Sequence, residues 1–169
     1  MAMNMYDASV PVFVHFLGSL SVILKKAEAH CAAKKIDPSI ILNARLFPDM
    51  FALTRQVQIA SDAAKGAGAR LAGIAVPSWP DEEKSFDELQ SRISKTVTFL
   101  SGLNPEQFAG SENRDIAIKA GGRELNFKGF VYLETWAKPN FYFHLTTAYA
   151  ILRHNGIELG KPDFLAGGQ

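Results

Sequence analysis

From Val10 onward an apolar or small residue recurs every three or four positions: Val10, Phe13, Leu17, Leu20, Leu24, Ala27 and Cys31. An unbroken alternation of steps of three and four is a helical period, and a seam this long is what helix bundles bury. Val12, Phe16 and Ile23 form a second stripe, roughly 80° around the same helix at 100° per residue. Two stripes predict two neighbours, one of them a second copy of the chain. Asp7 is the expected N-cap, and Pro11 is tolerated only in the first turn.

The same period returns twice. Met50, Leu53, Val57, Ala60, Ala64, Ala67 and Leu71 make a second seam, and its C-terminal half is small enough for another helix to approach closely. Gly66 and Gly68 each cost that helix about 1 kcal/mol of propensity. Phe86, Leu89, Ile93, Thr96, Leu100 and Leu103 make a third, opened by a Ser85/Glu88 capping box. Asp37-Pro38-Ser39 starts a short helical piece between the first two.

The period then shortens to two. Ile116 and Ile118, then Leu125 and Phe127, alternate with other residues around Gly121-Gly122, which predicts a β-hairpin leaning on a helix. A last helix begins near Phe130, is interrupted at Pro139, resumes through Phe141, His144, Ala148 and Ile151, and stops at Asn155-Gly156. Leu159 to Gln169 reads as a loop packing by Phe164 and Leu165. At 169 residues the chain is one domain, residues 1–169: an all-α four-helix bundle with a small β-hairpin before the last helix.

Eighteen basic and 17 acidic side chains leave a formal charge of +1, without the basic excess of a nucleic-acid binder. No apolar run is read as long enough for a bilayer, so no membrane partner is expected. Met1 to Asp7 lacks the basic start of a secretory leader. One cysteine, Cys31, makes no internal disulfide. These features predict a cytoplasmic protein.

Phosphate loops, dinucleotide fingerprints, H-E-x-x-H, C-x-x-C and G-x-S-x-G are all absent. The four histidines separate by helical phase. His15 lies roughly 160° from its seam and should face solvent. His30 and His154 sit off their seams, whereas His144 occupies one. An inward histidine needs a hydrogen-bond partner or a metal, so His144 is either a satisfied core residue or a functional one. Asn140, one turn earlier, shares its face or serves the backbone around Pro139. On the second helix Asp49 and Gln56 lie within roughly 60° of the seam, Asp49 as cap or ligand, Gln56 as a polar residue at the core margin. Tyr142, Thr147 and Tyr149 either line a pocket or pack. One histidine, one carboxylate and two amides are a poor donor set for a transition metal.

Three stretches carry a resemblance: Met5 to Phe13; Leu42 to Phe51, continuing into Arg55-Gln56-Val57-Gln58-Ile59-Ala60; and Pro139 to His144, on through Thr147, Tyr149 and Leu152-Arg153-His154-Asn155-Gly156. They are similar to a bacterial family of uncharacterised function grouped with the DinB-like (YfiT-like) metalloenzyme superfamily. The resemblance implies an up-down-down-up four-helix bundle, commonly a homodimer, with a small-molecule pocket at one end. Better-known members hold a divalent metal through one histidine on the second helix and an H-x-x-x-H pair on the last. Some are thiol-dependent transferases or isomerases. Here only His144 matches that set. Its pair position is Asn140 or Ala148, and the second helix offers Asp49 and Gln56 but no histidine.

Two function readings follow. One is a metal-free small-molecule-binding bundle with His144, Asn140, Gln56 and Tyr149 at the pocket. It needs an apolar cavity near His144 with no carboxylate facing it. The other is an altered metal-dependent, thiol-transferase-like enzyme in which His144 and Asp49 approach a common point to hold zinc, nickel or manganese. A third, purely structural reading needs His144 fully packed.

Overall fold

All seven residues of the first seam are buried in α1 (Val10–Lys34). The computed structural model describes residues 4–166. The leader reading and the tail reading therefore fall partly on residues 1–3 and 167–169, outside the described residues. Ser9, not Asp7, precedes α1, and its hydroxyl donates back to the Met5 carbonyl at 2.6 Å. A turn over the preceding residues displaces Asp7, whose amide is held by Asn4 Oδ1 at 2.9 Å.

Part of the second stripe of α1 packs within the chain, where Ile23 is fully buried. Phe16 meets Tyr142 edge-on at 5.2 Å and Phe164 at 5.6 Å. An 18-residue stretch of α1, which the sequence reading passes over, has a mean hydropathy of 1.4, so by length and composition the helix is apolar enough to cross a membrane; 44% of that stretch is buried inside the fold. Its main seam is committed to the bundle core.

The short α2 (Pro38–Leu42) forms as expected, with Asp37 accepting from the Ser39 amide at 2.9 Å. The second long helix, α3 (Leu53–Ala72), starts three residues later than the seam suggests. A turn closed by Met50 N–H to the Phe47 carbonyl comes first, and Asp49 is exposed in it. Asp49 neither caps α3 nor faces inward. The small half of α3 does admit a close neighbour: a methyl on Gly68 would stand 2.6 Å from Leu100 Cδ2. That neighbour is α4 (Phe86–Ser101), opened by the expected capping box.

Strands β1 (Asp115–Ala120) and β2 (Arg123–Lys128) pair antiparallel, Ile116 opposite Phe127 and Ile118 opposite Leu125. Gly121 (φ 56°) and Gly122 (φ 76°) both adopt the left-handed conformation that a two-residue hairpin turn demands.

The last helix is not broken at Pro139. It runs as α5 (Gly129–Tyr132), a π-helical turn (Leu133–Ala137) and α6 (Lys138–His154). In a regular α-helix the proline ring would strike the carbonyl four residues back. The wider turn directly before it changes that spacing. The tail also differs from the expected loop: it forms α7 (Lys161–Leu165), with Phe164 packed against Tyr149 and Leu165 half-exposed. Exposed His15 binds the Leu165 carbonyl at 2.8 Å.

α3 packs along α6 and α4, and α4 also along α1. The loop between α3 and α4 is strapped down by Arg92, whose side chain is only 2% exposed. It reaches Asp62 at 3.0 Å, Asp81 at 2.8 Å, Glu83 at 2.9 Å and the Pro80 carbonyl at 3.0 Å. Buried Lys65 adds an ion pair to Asp62 at 2.7 Å and lies 4.3 Å from the Trp79 ring centroid. Asp81 also pairs with Arg55.

Candidate functional site

Gln56 lies in the first turn of α3 and His144 in the second turn of α6, on helices that pack together. Gln56 is 1% exposed, so its amide must be satisfied from inside. Its Nε2 donates to the Phe51 carbonyl at 3.0 Å, leaving Oε1 as the acceptor. His144 Nδ1 lies 2.7 Å from that oxygen and therefore carries the proton. In the neutral ring, Nε2 keeps its lone pair and has no protein partner among the described residues. Burial, and then the charge of Arg55, hold His144 below its ordinary value of 6.5. The ring is neutral at physiological pH.

His144 therefore contributes to stability in a pH-dependent way. The unfolded chain protonates His144 more readily, so its contribution is complete above about pH 6.5 and is lost as the pH falls through the lower folded value. Titration of the ring by NMR is expected to give a midpoint below 6.5 that moves upward in Arg55→Gln. A midpoint unmoved by that substitution would show that Arg55 does not act on the ring.

Two residues that adjoin the relay, Phe143 and Phe51, are exposed aromatics. Phe143, 57% exposed, meets His144 edge-on at 5.1 Å. It also walls a groove of about 550 Å³ with Leu46, Met50, Pro139, Tyr142 and Thr147. Phe51 is 54% exposed, with the Arg55 guanidinium 5.9 Å from its ring centroid. A larger cleft of about 1010 Å³ between α1 and α4, floored by Trp79, contains none of the sequence candidates.

The structure thus brings Gln56 and His144 together, places Tyr142 and Thr147 on the groove, and gives Asn140, Tyr149 and Asp49 other surroundings. Asn140 donates its amide to the Trp136 carbonyl at 2.8 Å, inside the π turn, and serves the backbone. Asn140→Ala should cost about 1 kcal/mol in a denaturant titration and leave ligand affinity at His144 unchanged. Tyr149 packs on Phe164 of α7, away from His144. Asp49 stays in its exposed turn.

Phe51 and Phe143 each adjoin a seam position, and a reading along the seams passes over them. Arg55 points away from its seam and reads from the sequence as a solvated or salt-bridging side chain, and it does pair with Asp81.

A divalent-metal site built from three protein donors does not fit this set. Gln56 offers its oxygen to His144, Asn140 is occupied, and the charge acting on the ring is a cation. Among the described residues no group of three or more His, Cys, Asp or Glu side chains is placed to hold a metal ion.

The family model of a domain of unknown function (DUF1993) matches residues 5–165. A crystal structure of a DinB family member protein from Shewanella denitrificans superposes with a TM-score of 0.86 at 43% sequence identity, covering 95% of this chain and 91% of that one. No curated protein matches the chain.

Proposed function

Because the chain belongs to the DUF1993 family and shares the fold of a DinB family member, we propose that it is a small-molecule-binding bundle whose ligand meets His144. The observation that carries this reading is the relay from the Phe51 carbonyl through Gln56 to His144 Nδ1. The relay fixes one tautomer and leaves Nε2 as an acceptor, next in sequence to Phe143, which walls an apolar groove. A histidine serving only the core would be packed on both nitrogens, and this one is half-buried with one nitrogen bonded.

The relay also favours a second reading. A carbonyl oxygen holding Nδ1–H is how metal-ligating histidines are oriented. An altered metal-dependent enzyme would use Nε2 as a ligand, with water completing the shell.

Elemental analysis of untagged protein after dialysis against zinc, nickel and manganese separates the two. Sub-stoichiometric metal, unchanged in His144→Ala, is the expected result. One metal per chain, lost in His144→Ala, would replace the binding reading with the enzymatic one. The binding reading also requires that small organic probes shift the His144 ring resonance, and a panel that never does so would sink it.

A further inference from the structure

We infer that the ligand of the His144 site is an organic monoanion with an apolar body, its charged head held by Arg55 beside His144 and its body laid on Phe51 and Phe143. This rests on the proposed function and narrows it to a chemical class.

Arg55 directly precedes Gln56 in the first turn of α3, and its guanidinium lies 5.9 Å from the Phe51 ring centroid. Its Nη1 donates to Gln58 Oε1 at 3.3 Å and pairs with Asp81. Nη2 and Nε have no partner among the described residues, and the side chain is 41% exposed. Half of a planar donor fork is therefore open. A carboxylate matches that fork with two parallel hydrogen bonds, a geometry neither a neutral amide nor an ammonium reproduces. A cationic ligand would meet the guanidinium as a like charge.

The apolar half of the ligand is selected by what surrounds the head. Phe51 and Phe143 together expose two aromatic rings, and Phe143 continues into the groove past Met50. An inorganic anion would leave both rings wet.

His144 adapts to the charge that arrives. An anion at Arg55 offsets the positive field on the ring and so favours its protonated form, in which Nε2 donates to the ligand. Nδ1–H keeps its bond to Gln56, because that bond is the same in the neutral and charged rings. The other charged groups on the neighbouring elements are Asp81, already paired with Arg55; Arg45, which donates to the Met50 carbonyl; and Asp49, exposed in its turn.

The test uses three probes of one shape: phenylacetate, phenylacetamide and phenethylamine. Each is titrated into the whole protein while the His144 ring resonance, assigned with His144→Gln, is followed by NMR. Phenylacetate is expected to shift that resonance and to bind about tenfold more tightly than the amide, the worth of one charge-assisted hydrogen bond. The amine should leave it unmoved. Arg55→Gln should erase the preference and Arg55→Lys restore part of it.

An amide that binds as tightly as the carboxylate overturns the anion, and the binding site survives. So does an Arg55→Gln variant that keeps the full preference. If none of the three probes moves the His144 resonance, the binding site fails and the anion with it. The carboxylate-to-amide comparison is made on the unaltered protein and does not depend on any variant folding.

Discussion

Arg92→Met is expected to lower the stability of the fold by about 3 kcal/mol and to reverse its response to acid. The side chain is almost wholly buried, and three carboxylates, Asp62, Asp81 and Glu83, converge on it. Removing the cation leaves those charges facing one another. Lys65, Arg55 and Gln58 then hold only one of them each. Breaking a buried ion pair costs about 3–5 kcal/mol, and the low end applies because Asp62 and Asp81 keep more than a third of their exposure.

The acid response follows from Glu83. Burial alone would raise its carboxyl, but hydrogen bonds from Arg92 and Gln58 outweigh burial and hold it below the ordinary 4.5. In the native protein this contribution is present above about pH 4.5 and is lost as the pH falls through the lower folded value. In the variant the burial remains without the guanidinium. The carboxyl then rises, and protonation favours the folded chain. Urea midpoints measured from about pH 3 to 6 should fall on acidification in the native protein and rise in Arg92→Met. Parallel curves for the two proteins would show that Glu83 does not depend on Arg92.

Gly129→Ala is expected to cost about 2 kcal/mol, although the residue begins a helix and alanine is the better helix former. A methyl there would overlap the Ser111 carbonyl oxygen and stand 3.0 Å from its carbon and 3.4 Å from Leu71 Cδ2. The obstacle is backbone, so relief requires moving the Ser111–Asn113 turn or the start of α5. Gly68→Ala is the control. Its methyl meets Leu100 Cδ2 and Leu103 Cδ1, the far ends of flexible side chains, and its loss should be smaller. Equal losses in thermal or denaturant unfolding would mean the Ser111 turn yields as easily as a leucine tip.

The helices were legible because burial imposes a period. Each seam residue of α1 and α4 reached the core, and the paired glycines located the hairpin turn without help from distant residues. The π turn was not legible. Proline reads as a stop because its ring clashes with a carbonyl four residues back, and only the local widening of the helix removes that clash. The start of α3 slipped for a related reason: Met50 keeps the spacing of the seam while the backbone there is still a turn.

Helical phase placed His144 and Gln56 on facing sides of neighbouring helices, where they meet. It carried no sign of the packing of Tyr149 on Phe164, because Phe164 lies in a segment with no periodic signal. The Arg92 cluster was invisible for a different reason. Asp62 is on α3, Arg92 on α4, and Asp81 and Glu83 in the loop between them, so no spacing along one helix relates them.

The π turn has a consequence for the site that lies downstream of it. A single π turn holds one residue more than the α-helical turn it replaces, which rotates everything beyond it by about 100° relative to what came before. Tyr132 precedes the turn and is buried; His144 follows it and meets Gln56. Drawn as one uninterrupted α-helix from Gly129, the same sequence would carry His144 about a quarter-turn away from α3. The direction of the ring is thus set by one extra residue, more than a full turn upstream.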